Sequence, residues 1–206
     1  MRDQIQHKEP SLSTKDQEYT TRLVSEQSLW WKRRLCVQAP YKWNLRRLKP
    51  GVTLDIGCGI GRNLMHLEGN GVGLDHNSRS VEVARARGLK AFTPVEFENT
   101  RFNADNTFDS ILLAHVAEHM SRREVVDLVV RYLFLLRPHG RVIFITPQEH
   151  GYRSDPTHVE FMDFEALAEI TKQAGLKPVT WYSFPFPRVF GRLFKYNEFV
   201  FVSEKI

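Results

Sequence analysis

Thr53-Leu54-Asp55-Ile56-Gly57-Cys58-Gly59-Ile60-Gly61-Arg62-Asn63-Leu64 is the stretch on which the reading of this chain turns. A short apolar run ends in an acid, passes through three glycines and enters a helical segment, which predicts a buried strand, a sharp turn and a helix. Glycines at such a turn allow left-handed dihedrals and let a ligand lie against the backbone with no Cβ in the way. The spacing is G-x-G-x-G, with Arg62 where the dinucleotide fingerprint G-x-G-x-x-G would place its last glycine. Asp55 stands two residues before the first glycine. A pyrophosphate would be repelled there, and a ligand carrying an ammonium group would be attracted.

Downstream, Gly71-Val72-Gly73-Leu74-Asp75 places a second carboxylate at the end of the next strand, where it can accept from both ribose hydroxyls of a nucleoside. S-adenosylmethionine combines such a nucleoside with an ammonium group and has no phosphate. A third acid, Glu96, follows the third apolar run and is within reach of an adenine edge. The segment Leu113-Ala114-His115-Val116-Ala117-Glu118-His119 then brings two histidines to the edge of the sheet where open α/β folds bind ligands.

Around these motifs, short apolar runs alternate with helical stretches, the pattern of a parallel sheet covered on both faces. The expected strands are Val52–Ile56, Gly71–Asp75, Lys90–Val95, Phe108–Leu113, Arg141–Thr146, Val179–Phe184 and Glu198–Ser203. Helices are expected from about Arg62 and Ser78, over Arg122–Leu136 and over Phe164–Ala174. Ser121 with Glu124 three residues on forms a capping box. Arg137-Pro138-His139-Gly140 reads as the turn that feeds the fifth strand.

This arrangement resembles the class I S-adenosylmethionine-dependent methyltransferase family, in particular its small-molecule branch. The resemblance covers about residues 51–206 and is most specific over 53–119. LDIGCGIG is similar to the family's first motif and GVGLD to its second, while Phe108-Asp109 matches the pair that opens the fourth strand. It implies a Rossmann-like α/β fold: a seven-stranded, mostly parallel sheet with an antiparallel C-terminal hairpin strand and helices on both faces. It also implies that Asp55, Gly57, Gly59, Asp75 and Glu96 line the cofactor, S-adenosylmethionine, with Phe97 and Ala114 close by. No Asn/Asp-Pro-Pro-Tyr-type motif follows the fourth strand, which argues against one large class of nucleic-acid N-methyltransferases.

Methyl transfer from a sulfonium is an in-line displacement whose main requirement is alignment of the acceptor lone pair. A hydroxyl acceptor benefits from a base that titrates near neutrality, and histidine is the natural choice. The candidates are His115, His119, His150 and His158; His158 and His115 are favoured, with Asp155 as an orienting partner of His158. The expected acceptor is a small molecule, sugar or lipid-linked metabolite. Methylation of RNA is the alternative, and a non-catalytic S-adenosylmethionine-binding regulator the third reading.

The 206 residues suffice for one α/β domain. The two cysteines, Cys36 and Cys58, offer neither a disulfide framework nor metal-ligand spacing, so no metal is expected. With no visible secretory signal and free thiols, a cytoplasmic protein is expected. Charge is uneven: residues 1–50 hold 11 basic against 5 acidic residues, the remainder 18 against 19. Residues 1–18 read as a flexible tail and 19–50 as an N-terminal helical lid over the domain at 51–206, with Pro40 breaking the lid into two helices. Trp30–Pro50 mixes aromatics with seven basic residues and no acid. It is read first as that lid, then as a peripheral contact with anionic membrane, then as an RNA surface.

Overall fold

The computed structural model describes residues 38–206. The expected tail, most of the expected lid and Cys36 lie outside the described residues.

The glycine-rich stretch forms the strand–turn–helix unit that organises the sheet. β1 (Thr53–Ile56) runs into the turn, and α2 (Arg62–His66) follows it. Ahead of β1 stands α1 (Ala39–Arg47), with Pro40 in its first turn, where a missing N–H costs nothing. Next come β2 (Gly71–Leu74), α3 (Ser78–Ala86), β3 (Ala91–Phe92), α4 (Pro94–Glu98) and β4 (Phe108–Ala114). α5 (Arg122–Tyr132), β5 (Leu136–Pro147), α6 (Glu149–Arg153), α7 (Phe164–Gln173), β6 (Leu176–Phe184) and β7 (Glu198–Lys205) complete the chain.

The seven strands lie in the order β3-β2-β1-β4-β5-β7-β6, with β7 running antiparallel to both β5 and β6. The order reverses between β1 and β4, and crevices form outside the carboxyl ends of the strands at such a switch point. Asp55 is level with Gly73 of β2 and Leu112 of β4, so the acid, the glycine turn and the end of β4 share one edge.

Both faces of the central strands are covered, which is why these strands are continuously apolar rather than alternating. On β4, Ile111 and Leu113 point into one core with α5 and α7, while Leu112 and Ala114 point into a second with Leu45 of α1 and Val81 of α3. β5 divides likewise: Val142 and Phe144 join the first core, Ile143 and Ile145 the second.

Several boundaries differ from expectation. The third strand was expected over Lys90–Val95 but ends at Phe92. Thr93 caps α4, its Oγ1 accepting from the Glu96 N–H while Glu96 Oε2 accepts from the Thr93 N–H at 2.8 Å, and Pro94 occupies the first helical position. This capping box with proline at N1 overrides the β preference of the run. The expected Arg137–Gly140 turn lies inside β5, which begins at Leu136; His139 in the left-handed region (φ 60°) marks the irregularity. The Ser121–Glu124 capping box is present as expected.

α1 is fastened to the domain through aromatics and a buried amide. Asn44 accepts from the Tyr182 hydroxyl at 2.7 Å, and Trp43 stacks on Phe184. The basic side chains of α1 have partners: Lys42 and Arg46 pair with Glu68, and Arg47 lies over the rings of Trp43 and Tyr182.

Phe144 is fully buried in the larger core. Phe144→Ala should lower stability by about 3–5 kcal/mol in denaturant unfolding; a loss below about 1 kcal/mol would contradict its placement at the centre of the sheet.

Candidate functional site

At the end of β1 the chain passes through Gly57, Gly59 and Gly61, all with positive φ. At Gly57 (φ 72°) a Cβ would lie 2.3 Å from Val116 Cγ2, so both conformation and space demand glycine. The turn is fixed to β2: the N–H groups of Gly57 and Cys58 donate to the Leu74 carbonyl at 2.7 and 3.2 Å. The Gly59 N–H donates to Asp75 Oδ2 at 2.7 Å, and the other Asp75 oxygen accepts from the Asn77 N–H at 2.8 Å. Asp75 therefore stands against the glycine turn.

Asp55 lies behind this turn, fully buried, and neither of its carboxylate oxygens has a hydrogen-bond partner of ordinary geometry. Burial pushes its pKa up to about 7, against the nearby Asn63 amide and Arg62 guanidinium, which pull it down. Ordinary carboxylates titrate near 4. A carboxylate so deeply buried fits a cationic, hydrogen-bonding ligand and rejects a phosphate.

Beside it, a cleft opens between α1, α2 and the ends of β4, β5 and β7. Tyr41, Asn44, Arg62, Asn63, His66, His115 and Glu198 supply its polar lining, and Leu45, Ala114 and Ile145 the apolar part. His115 follows β4 in the left-handed region (φ 60°), held there by its N–H to the Ile145 carbonyl at 2.8 Å. Non-glycine residues adopt this conformation only where the surroundings impose it. The His115 Nε2 lies 2.8 Å from Glu198 Oε1, and Nδ1 lies 3.3 Å from Glu118 Oε1. Burial alone would lower its pKa, but the two carboxylates outweigh burial and raise it to about 9.

The expected residues divide into two groups. Asp55, Gly57, Gly59, Asp75, Ala114 and His115 gather at one edge of the sheet. Glu96 and Phe97 do not behave as expected. Glu96 closes the α4 capping box and makes a two-pronged ion pair with Arg85, at 3.0 and 2.8 Å, which holds its pKa down near 2. Phe97 is buried in the core, edge-on to Tyr132. Both shift for one reason: the helix starts at Pro94, so its first turn faces Arg85 and the core.

His158 is not part of the cleft lining. Its Nδ1 bonds the Tyr152 carbonyl at 2.6 Å, and its ring packs against His119 with centroids 4.8 Å apart. Asp155 Oδ1 accepts from the N–H and hydroxyl of Thr157, at 3.0 and 2.7 Å. His150 bonds the Leu193 carbonyl through Nδ1.

Sequence reasoning missed Asn63, Tyr41 and Glu198. Asn63 follows the glycine turn by two residues and was legible as its first helical turn. Tyr41 and Glu198 reach the cleft only through tertiary packing.

Residues 54–144 match the family model described as "Methyltransferase domain". Over that stretch the chain is similar to a methyltransferase domain. An uncharacterised methyltransferase of Bacillus cytotoxicus is 25% identical over 128 residues, covering 61% of this chain. The match takes in 56% of that relative, so this chain spans little more than half of its length. Among solved structures, a SAM-dependent methyltransferase from Archaeoglobus fulgidus superposes with a TM-score of 0.64 at 18% identity, covering 80% of this chain and 93% of that one. A TehB-like SAM-dependent methyltransferase from Corynebacterium glutamicum gives 0.62 at 15% identity, covering 93% and 100%. These likenesses establish the fold. The buried Asp55 carboxylate and the glycine turn held by Asp75 fit S-adenosylmethionine, the cofactor named for these solved relatives.

Two outcomes test the site. A bound ammonium favours the Asp55 anion, so it lowers the pKa of a group that stands near 7 in the free protein. Affinity for S-adenosylmethionine should therefore rise with pH up to about 7 and level off above it, and Asp55→Asn should bind more weakly with a flatter profile. Separately, Glu96→Ala should cost about 1 kcal/mol of stability and leave cofactor affinity within about twofold. A tenfold loss of affinity would return Glu96 to the adenine contact.

Proposed function

We propose that this protein transfers a methyl group from S-adenosylmethionine to an oxygen atom of a small molecule, sugar or lipid-linked metabolite. The observation that carries the proposal is the hydrogen-bonded His115–Glu198 pair at 2.8 Å in the wall of a cleft that adjoins the buried Asp55 carboxylate.

When bound, S-adenosylmethionine supplies an activated methyl group on a sulfonium. The chain's own contribution is placement and exclusion of water. Asp55 would anchor the ammonium end, Asp75 the ribose hydroxyls, and the glycine turn would admit the ligand to close backbone contact. An acceptor hydroxyl entering the cleft would donate its hydrogen bond to Glu198, directing an oxygen lone pair inward; His115 holds that carboxylate in place.

The rim favours an acceptor with an apolar portion. Trp43, Phe186, Val189, Phe190, Leu193 and Tyr196 are all exposed. They belong to α1 and the β6–β7 connection, which the Tyr41 hydroxyl ties together through the Tyr196 carbonyl at 2.8 Å. Tyr41 also lines the cleft, so the apolar rim and the polar floor share a residue. The connection is anchored by the buried Asn197, whose amide donates to Gln148 Oε1 at 2.9 Å and Ser183 Oγ at 3.0 Å.

Incubation with methyl-labelled S-adenosylmethionine and separate lipid, soluble-metabolite and RNA fractions tests the reading. Label should enter the lipid or metabolite fraction in a base-stable ether rather than RNA; label confined to RNA would overturn it. With that acceptor, Glu198→Gln should lower kcat by about 100-fold while cofactor affinity is retained.

A further inference from the structure

Beyond the cleft, three side chains of the metal-ligating type converge where no part of the methyl-transfer reading needs them. Glu118 and His119 lie on the short 3-10 turn Ala117–His119 that follows β4, and His158 comes from the loop preceding α7. One donor atom from each lies within 4.8 Å of the others. From this cluster we infer that Glu118, His119 and His158 form a site for a divalent first-row transition-metal ion.

The histidines are prepared for it. His119 Nδ1 lies 3.2 Å from the Thr157 carbonyl, and His158 Nδ1 lies 2.6 Å from the Tyr152 carbonyl. A carbonyl oxygen only accepts, so each Nδ1 carries the proton, and each Nε2 presents a lone pair. Fixing one imidazole nitrogen on a backbone carbonyl so that the other faces a metal is the usual outer-shell arrangement of metal-binding histidine. Asp155 extends this support, because the Thr157 hydroxyl that donates to it also lies 3.2 Å from His119 Nδ1.

Glu118 supplies the independent observation. It has no exposed surface, and neither carboxylate oxygen makes a hydrogen bond of ordinary geometry. Its charged neighbour is His115, with Nδ1 at 3.3 Å. That imidazole is shared with Glu198, and one imidazole cannot neutralise two carboxylates. A buried carboxylate that has only a share of one imidazole suits a further positive charge from a bound ion. The backbone brings the third donor to it: the Val159 and Glu160 N–H groups donate to the Glu118 carbonyl at 2.7 and 3.3 Å, stitching the His158 loop to the 3-10 turn.

Two imidazole nitrogens and one carboxylate oxygen suit zinc, iron(II), cobalt(II) or manganese(II); calcium and magnesium prefer all-oxygen sets. Metal–ligand distances of about 2.0–2.2 Å require the three donors to draw inward by roughly 1 Å. Three protein ligands leave at least one coordination position for water or another oxygen donor. The inference stands apart from the acceptor reading, because metal binding and cofactor binding are measured separately.

The test is titration of the metal-free full chain with cobalt(II), followed by its ligand-field absorption, beside calorimetry with S-adenosylmethionine. One cobalt ion per chain with a nitrogen-ligated spectrum is expected. The His119→Ala/His158→Ala double variant, checked for folding by circular dichroism, should lose more than about 100-fold in affinity. His139→Ala, which alters an exposed histidine, should bind as the unsubstituted protein does. A readout that needs no variant is protection of His119 and His158 from diethyl pyrocarbonate by bound zinc. Absence of stoichiometric cobalt binding, equal affinity in the double variant, or unprotected histidines would overturn the site, whatever the cofactor titration shows.

Discussion

A carboxylate buried without a hydrogen-bond partner of ordinary geometry is a liability that the rest of this fold accommodates. Asp55 has no solvent exposure, and its carboxyl group is pushed to the neutral range by burial. Its folded pKa lies above the unfolded value. Its contribution to stability is therefore most favourable below the ordinary carboxylate range and declines as the pH rises toward 7. A cation delivered by a ligand reverses that penalty. The surroundings keep the acid in position: β1 fixes it between β2 and β4, and Asp75 holds the glycine turn in front of it.

The cleft is built from elements distant in sequence. The cleft wall combines the end of β4 with the first residue of β7 and two turns of α1. His115 is the junction, held in a left-handed conformation between Glu118 and Glu198. On one side of it lies the cleft, and on the other the Glu118–His119–His158 cluster. Aromatic contacts and the Asn44–Tyr182 hydrogen bond lock α1 onto the sheet, so part of the basic, aromatic stretch is structural. The cations of α1 are engaged with Glu68 and aromatic rings.

Much of this was legible in the sequence because it rests on local rules. Three glycines between an apolar run and a helix, the acid at each strand end and the Ser121–Glu124 box are short-range signals, and they located β1, β2, β4 and α5 well. Glu96 and Phe97 were misplaced because a run with strand-like residues also contained Thr93-Pro94-Val95-Glu96. Its capping chemistry was readable in the same letters and prevailed. The pairing of His158 with His119, and of His115 with Glu198 across 83 positions, depends on how loops fold back over the sheet edge. No periodicity encodes that.

The central claim is that Asp55 receives the ammonium group of an adenosyl amino acid. The most direct measurement is calorimetric titration with S-adenosylhomocysteine, with methylthioadenosine, which keeps the nucleoside and lacks the amino acid, and with NAD. The account predicts one S-adenosylhomocysteine per chain, bound at least about tenfold more tightly than methylthioadenosine, the scale of one charged hydrogen bond, with no NAD uptake. Equal affinity for the two nucleosides, or preference for NAD, would contradict it.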